Sequence, residues 1–234
     1  TFFTLSEIGG NDVLAFATSG GVGVDQTGNF NPATYGSSDI TDPNVFAQVF
    51  STVVTTLTSN GAKGVVANVP YITNLPYFTT VPYNPLDPSN PACGPQIPVL
   101  NATFAALNQA YAYLQMPERS IVFSETAASP VVIQDESLPN IAFQLAQVLQ
   151  GGGLDPMTAG LLASQFGQSR QATATDLLVL PSSSAIATLN QVRFDQLVGA
   201  GVPAATAGQL SVNGVTYPLE DKWVLLPSEQ LAVK

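Results

Sequence analysis

Two short apolar runs, TFFTLSEI at residues 1–8 and VVANV at 65–69, enclose a stretch with helical periodicity. That order leaves little freedom of topology. Strands joined through a helix cannot form a tight hairpin, so the pair is expected to run parallel, as a β-α-β unit. The first run mixes β-branched and aromatic residues and reads as a central strand. Gly9-Gly10 closes it, and Val13–Ala17 begins a helix or buried turn. Residues 18–44 then form a long polar loop without periodicity. Asp42 is placed to cap a helix opened by Pro43. Phe46, Val49, Phe50, Val53 and Leu57 recur at helical spacing, and Asn60-Gly61 supplies the stop.

Beyond Pro70 the chain is rich in proline and aromatic residues to about residue 98. A helix is expected over 99–114, and strands at 121–123 and 131–133. From Leu138 the pattern changes: helices at 138–150 and 157–167, a strand at 177–180, a helix at 185–199 and a hairpin at Asn213-Gly214. The expected division is a partial α/β core over 1–137, a helical and hairpin insertion or lid over 138–220, and a return to the core over 221–234.

Composition narrows the function. Sixteen acidic residues against six basic ones give a net charge of −10. There is no basic footprint for a phosphate backbone, so nucleic acid is not an expected partner. Nor is attraction to anionic lipid surfaces expected. No apolar run reaches the ~18–20 residues of a membrane span. The chain has one cysteine, Cys93, and no histidine. An internal disulfide is therefore excluded, zinc is disfavoured, and a thiol nucleophile lacks its usual base. No metal and no cofactor is expected. Asp25, Asn29, Asn31, Asp39 and Asp42 gather hard oxygen donors in one loop, but not at EF-hand spacing.

Gly9-Gly10-Asn11-Asp12 carries the most chemistry. Ligands of open α/β sheets bind beyond the carboxyl ends of the strands. An asparagine there can aim its amide N–H at a developing oxyanion, a donor worth on the order of 10²–10³ in rate. The competing reading is a plain turn, which Asn and Asp also favour. Tyr71, Tyr77, Phe78 and Tyr83 follow the second strand and are candidates to line an acyl or sugar pocket, or to pack the loop. Ser6 and Ser19 flank the motif without a base. Ser124 beside Glu125 reads as loop chemistry. Asn101-Ala102-Thr103 matches the glycosylation triplet but opens a helix.

With SEIGGNDVLAFATSGG followed by NVPYITNLPYFTTVPYNPL, the chain resembles the SGNH hydrolases, the GDSL-type esterases and lipases, and especially bacterial secreted or lipoprotein members. The resemblance covers residues 1 to about 135. It implies a flavodoxin-like three-layer α/β/α core with a parallel sheet. It implies that Asn11 is the oxyanion-hole donor, supported by Gly9, Gly10 and Asp12. It further implies a lipid, carbohydrate or other small ester as substrate, and an extracellular, periplasmic or cell-surface location. The family's G-D-S nucleophile block and D-x-x-H base block are absent from these residues, so neither nucleophile nor base is expected in this chain. The chain is accordingly read as an inactive internal fragment of the esterase. The alternatives are a non-catalytic α/β surface or binding module and a carbohydrate-ester deacetylase.

Overall fold

The computed structural model describes residues 2–91 and 94–233, so Cys93 lies outside the described residues. The chain is a mixed α/β protein. β1 (Phe2–Leu5) leads through α1 (Gly10–Thr18) and α2 (Pro43–Thr58) to β2 (Lys63–Val66). β1 and β2 pair in parallel, from Phe2 opposite Lys63 to Leu5 opposite Val66. The expected β-α-β unit is present, and α2 begins as its sequence dictates. Asp42 accepts from the N–H groups of Asn44 (2.8 Å) and Val45 (3.1 Å), and Pro43 takes the first position, where no N–H is needed.

Two details differ from expectation. β1 ends at Leu5 and, among the described residues, pairs with β2 alone, so it is not a central strand. β2 begins at Lys63 rather than Val65, because register with β1 sets the ladder and the apolar run does not. The unit is also thinly covered. All of β2 is exposed, with Val65 at 53% and Val66 at 45%, and no residue of α2 is fully buried. A parallel pair ordinarily has both faces covered.

The rest of the chain packs more deeply. α3 (Pro76–Thr79) and the proline-rich loop lead into α4 (Ile97–Tyr113). β3 (Val132–Gln134) pairs antiparallel with β4 (Ser169–Gln171), and α5 (Ala142–Gly151) and α6 (Pro156–Phe166) lie between them in sequence. β5 (Leu177–Leu178), α7 (Ser182–Ala185), α8 (Gln191–Gly199) and α9 (Ala204–Gln209) precede β6 (Val224–Leu225), which pairs with β5, and α10 (Pro227–Ala232) follows. One buried core joins Phe104 and Leu107 of α4 to Val132, Leu145, Phe166, Leu178 and Val224. A smaller core joins Phe16, Ile72, Phe78, Val179 and Leu225. Among the described residues no helix is long and apolar enough to cross a membrane.

The segments expected as a strand at 121–123 and a hairpin at 212–215 take other forms. Residues 121–123 are extended, but their ladder is made by side chains. Asn108 bonds both backbone groups of Ile121, Asn101 both of Phe123, and Gln171 both of Val122. The Asn101 amide is therefore committed to holding α4 against this segment. At Asn213-Gly214 the Val212 carbonyl accepts from the N–H groups of Val215, Thr216 and Tyr217, forming a tight loop instead of two paired strands. Gly214 has φ +71°, and a Cβ there would meet Leu219 at 3.2 Å and Val131 at 3.3 Å.

Candidate functional site

The site begins where β1 ends. Glu7 (φ 67°) and Gly9 (φ 85°) turn the chain sharply, and Gly10 N–H donates to the Glu7 carbonyl at 2.8 Å. Gly9 is the residue before α1, in the left-handed region. A Cβ on it would lie 3.2 Å from the Phe46 ring of α2. Glycine is thus needed both for its backbone angle and for the close approach of α2. This turn places Asn11 and Asp12 in the first turn of α1, at the carboxyl end of β1.

Asn11 is exposed. No side-chain hydrogen bond engages its amide among the described residues, and Gly9 offers no side-chain cap. The Asn11 and Asp12 N–H groups likewise find no backbone acceptor there. The result is a cluster of free donors at a helix N-terminus, where partial positive charge favours an anion. Asp12 is half-buried and accepts from Thr41 Oγ1 at 3.1 Å. Thr41 adjoins Asp42, so this bond ties the start of α1 to the start of α2.

The loop between α1 and α2 spends its carboxylates on its own backbone. Asp39 accepts from Gly36 N–H (2.7 Å), Val24 N–H (3.0 Å) and Gln26 Nε2 (2.6 Å), and these donors hold its carboxyl below the usual range. The Gly28 N–H at 2.8 Å does the same for Asp42, helped by Val45 and Asn44. Asp25 accepts from Thr27. Asn29 and Asn31 bond within the same loop.

The four aromatic candidates separate. Phe78 is 1% exposed and belongs to the smaller core, with Tyr77 edge-on to it at 5.1 Å. Phe78 is thus a packing residue. Tyr71 is exposed, and Tyr83 packs against the larger core. The turn at Ile72–Asn74 contacts α1. This brings the aromatic loop against the helix that Asn11 opens, but neither Asn11 nor any of the four lines the cavity of about 710 Å³ bordered by α4 and α9. Ser124 is a turn acceptor, receiving the N–H groups of Thr126 (3.2 Å) and Ala127 (3.0 Å).

Two features had no sequence signal because their residues come from distant parts of the chain. One is a carboxylate cluster of Glu136, Asp221 and Glu229, whose oxygens lie within 4.8 Å of one another. Oxygen donors of this kind suit a hard cation. Burial, reinforced by the Glu136 charge, pushes Asp221 up to about 6. Burial pushes Glu229 up to about 8, with Glu136 and Asp221 adding to the shift and the Leu226 N–H opposing it. The adjacent cation, Lys222, pairs with Glu220 at 2.5 Å instead. The other feature is a cavity of about 710 Å³ bordered by α4 and α9.

Comparison with family models, curated proteins and solved structures finds no match to this chain.

Proposed function

We propose that this chain carries the oxyanion-stabilising part of an SGNH-type serine ester hydrolase. The observation that carries the reading is Asn11: an exposed, uncommitted amide beside unpaired backbone donors, at the carboxyl end of a parallel strand. Ester hydrolysis passes through tetrahedral intermediates whose oxygen becomes an anion. Donors fixed before the reaction stabilise that charge without reorganising. Asn11 takes this role in both acylation and deacylation, and Asp12, bonded to Thr41, holds the turn in place.

The 234 residues include no histidine, so the general base, and with it the serine it activates, are supplied by other polypeptide. The exposed apolar residues of β1, β2 and α2 support this, since further strands and helices of a three-layer α/β/α sheet would cover them. The substrate is a lipid, carbohydrate or other small ester, and the location is extracellular, periplasmic or at the cell surface. Purified residues 1–234 are expected to leave p-nitrophenyl acetate hydrolysis at the buffer rate. Turnover at enzymatic rates by this chain alone would contradict the assignment of nucleophile and base.

A further inference from the structure

The 710 Å³ cavity is a second candidate site, and Asn11 does not line it. Its volume falls in the range of small-molecule sites. The walls are Ile97 and Leu100 of α4, Phe123, and Leu210 and Val215 beyond α9. No charged side chain lines it among the described residues. The buried hydroxyls of the lining are already engaged. Ser129 accepts from Ser124 N–H at 2.8 Å, and Thr216 donates to the Gln209 carbonyl at 2.6 Å. The exposed polar residues Thr103, Thr206 and Gln209 also line it, on α4 and α9. A smaller cavity of about 360 Å³ shares Leu86, Asn90 and Ala187 with it, so the two adjoin.

These features define the occupant. An apolar interior without unmet polar groups takes hydrocarbon, and the adjoining cavity offers further room along the length of a chain. No cation lines the cavity among the described residues to pair with an anionic head group, and the net charge of −10 opposes one. Hydroxyl and amide groups at the exposed lining suit a neutral hydroxyl or ester. We infer that the groove between α4 and α9 binds an uncharged single-chain lipid, an acyl chain with a neutral polar head such as a monoacylglycerol. This is independent of the hydrolase reading.

The test uses the full 234-residue chain and the uncharged fluorophore N-phenyl-1-naphthylamine, displaced by 1-monodecanoylglycerol or by decanoate below their aggregation concentrations. The expected result is saturable binding, with the neutral lipid displacing the probe at a concentration at least about tenfold lower than the anion does. Thr103→Trp and Thr206→Trp fill the groove from opposite walls at exposed positions. Each should weaken probe binding about tenfold or more while leaving the urea midpoint unchanged. Val65→Ser, on the exposed strand pair, should leave binding intact. Non-saturable binding, equal displacement by decanoate, full binding in both folded tryptophan variants, or loss of binding in Val65→Ser would each overturn the inference.

Discussion

The Asn108 carboxamide closes a two-bond ring on the backbone of Ile121: its Oδ1 accepts the Ile121 N–H at 2.8 Å, and its Nδ2 donates to the Ile121 carbonyl at 2.8 Å. Asn101 repeats the device on Phe123 from the same face of α4, about two helical turns nearer its start. Side chains here do what a neighbouring strand does elsewhere. Ile121 is fully buried, so its peptide groups have no water to fall back on. Asn108→Ala should therefore cost about 2–4 kcal/mol, the sum of two stranded polar groups. Urea denaturation measures it, and Asn108→Asp should not restore the loss because it removes the donor.

Arg170 holds two carboxylates at once. Its Nε donates to Asp135 at 2.6 Å, and its two terminal nitrogens donate to Asp176 at 2.7 and 2.8 Å. Both carboxylates are buried, so removing the cation leaves them uncompensated. Arg170→Met should destabilise by about 3–5 kcal/mol, whereas Arg170→Lys, which lacks the fork, should recover part of that. Thermal unfolding compares the two.

Stability should peak in mildly acid solution. Burial drives the Asp176 carboxyl upward, but the Arg170 ion pair and the Thr173 donors outweigh it, and the net shift is downward. That contribution is present above the ordinary carboxylate range and is lost as pH falls through the lowered value. Glu229 and Asp221 act in the opposite sense. Their folded-state values are raised to about 8 and about 6, so the folded protein binds their protons more tightly than the unfolded chain. Their contribution is complete below the unfolded value and is lost as pH rises toward 8. The melting temperature should fall by at least about 3 °C between pH 5 and pH 8, and Glu229→Gln should flatten that slope. A melting temperature that rises over this range in the parent would contradict the pairing.

Gly9→Ala separates geometry from chemistry at the candidate site. The substitution forces an L side chain into φ 85° and sets its Cβ 3.2 Å from the Phe46 ring. It should cost about 1–2 kcal/mol in urea denaturation. Asn11→Ala touches an exposed, unbonded side chain and should change stability by less than about 0.5 kcal/mol.

What the sequence made legible was local. Asp42-Pro43 announces the start of α2 because both residues act on the helix's own first turn. The β-α-β order followed from strand, helix and strand in succession, and the position of Asn11 after the first strand followed from Gly9-Gly10. What stayed hidden depends on partners far along the chain. The apolar pattern at 121–123 marks an extended segment but does not reveal that asparagine and glutamine side chains complete its ladder. For Tyr77 and Phe78 the sequence leaves pocket lining and loop packing open, and only contact with Phe16 and Ile72 shows Phe78 to be core. Glu136, Asp221 and Glu229 meet through the tertiary fold, as do the walls of the cavity between α4 and α9.

The most direct test of the proposed role is kinetic, in a protein that combines these residues with the polypeptide supplying serine and histidine. Asn11→Ala should lower kcat for p-nitrophenyl acetate by about 10²–10³ while KM stays nearly constant, the signature of a donor used in the transition state. A variant that is stably folded and keeps the full kcat would contradict the assignment of Asn11 to the oxyanion hole.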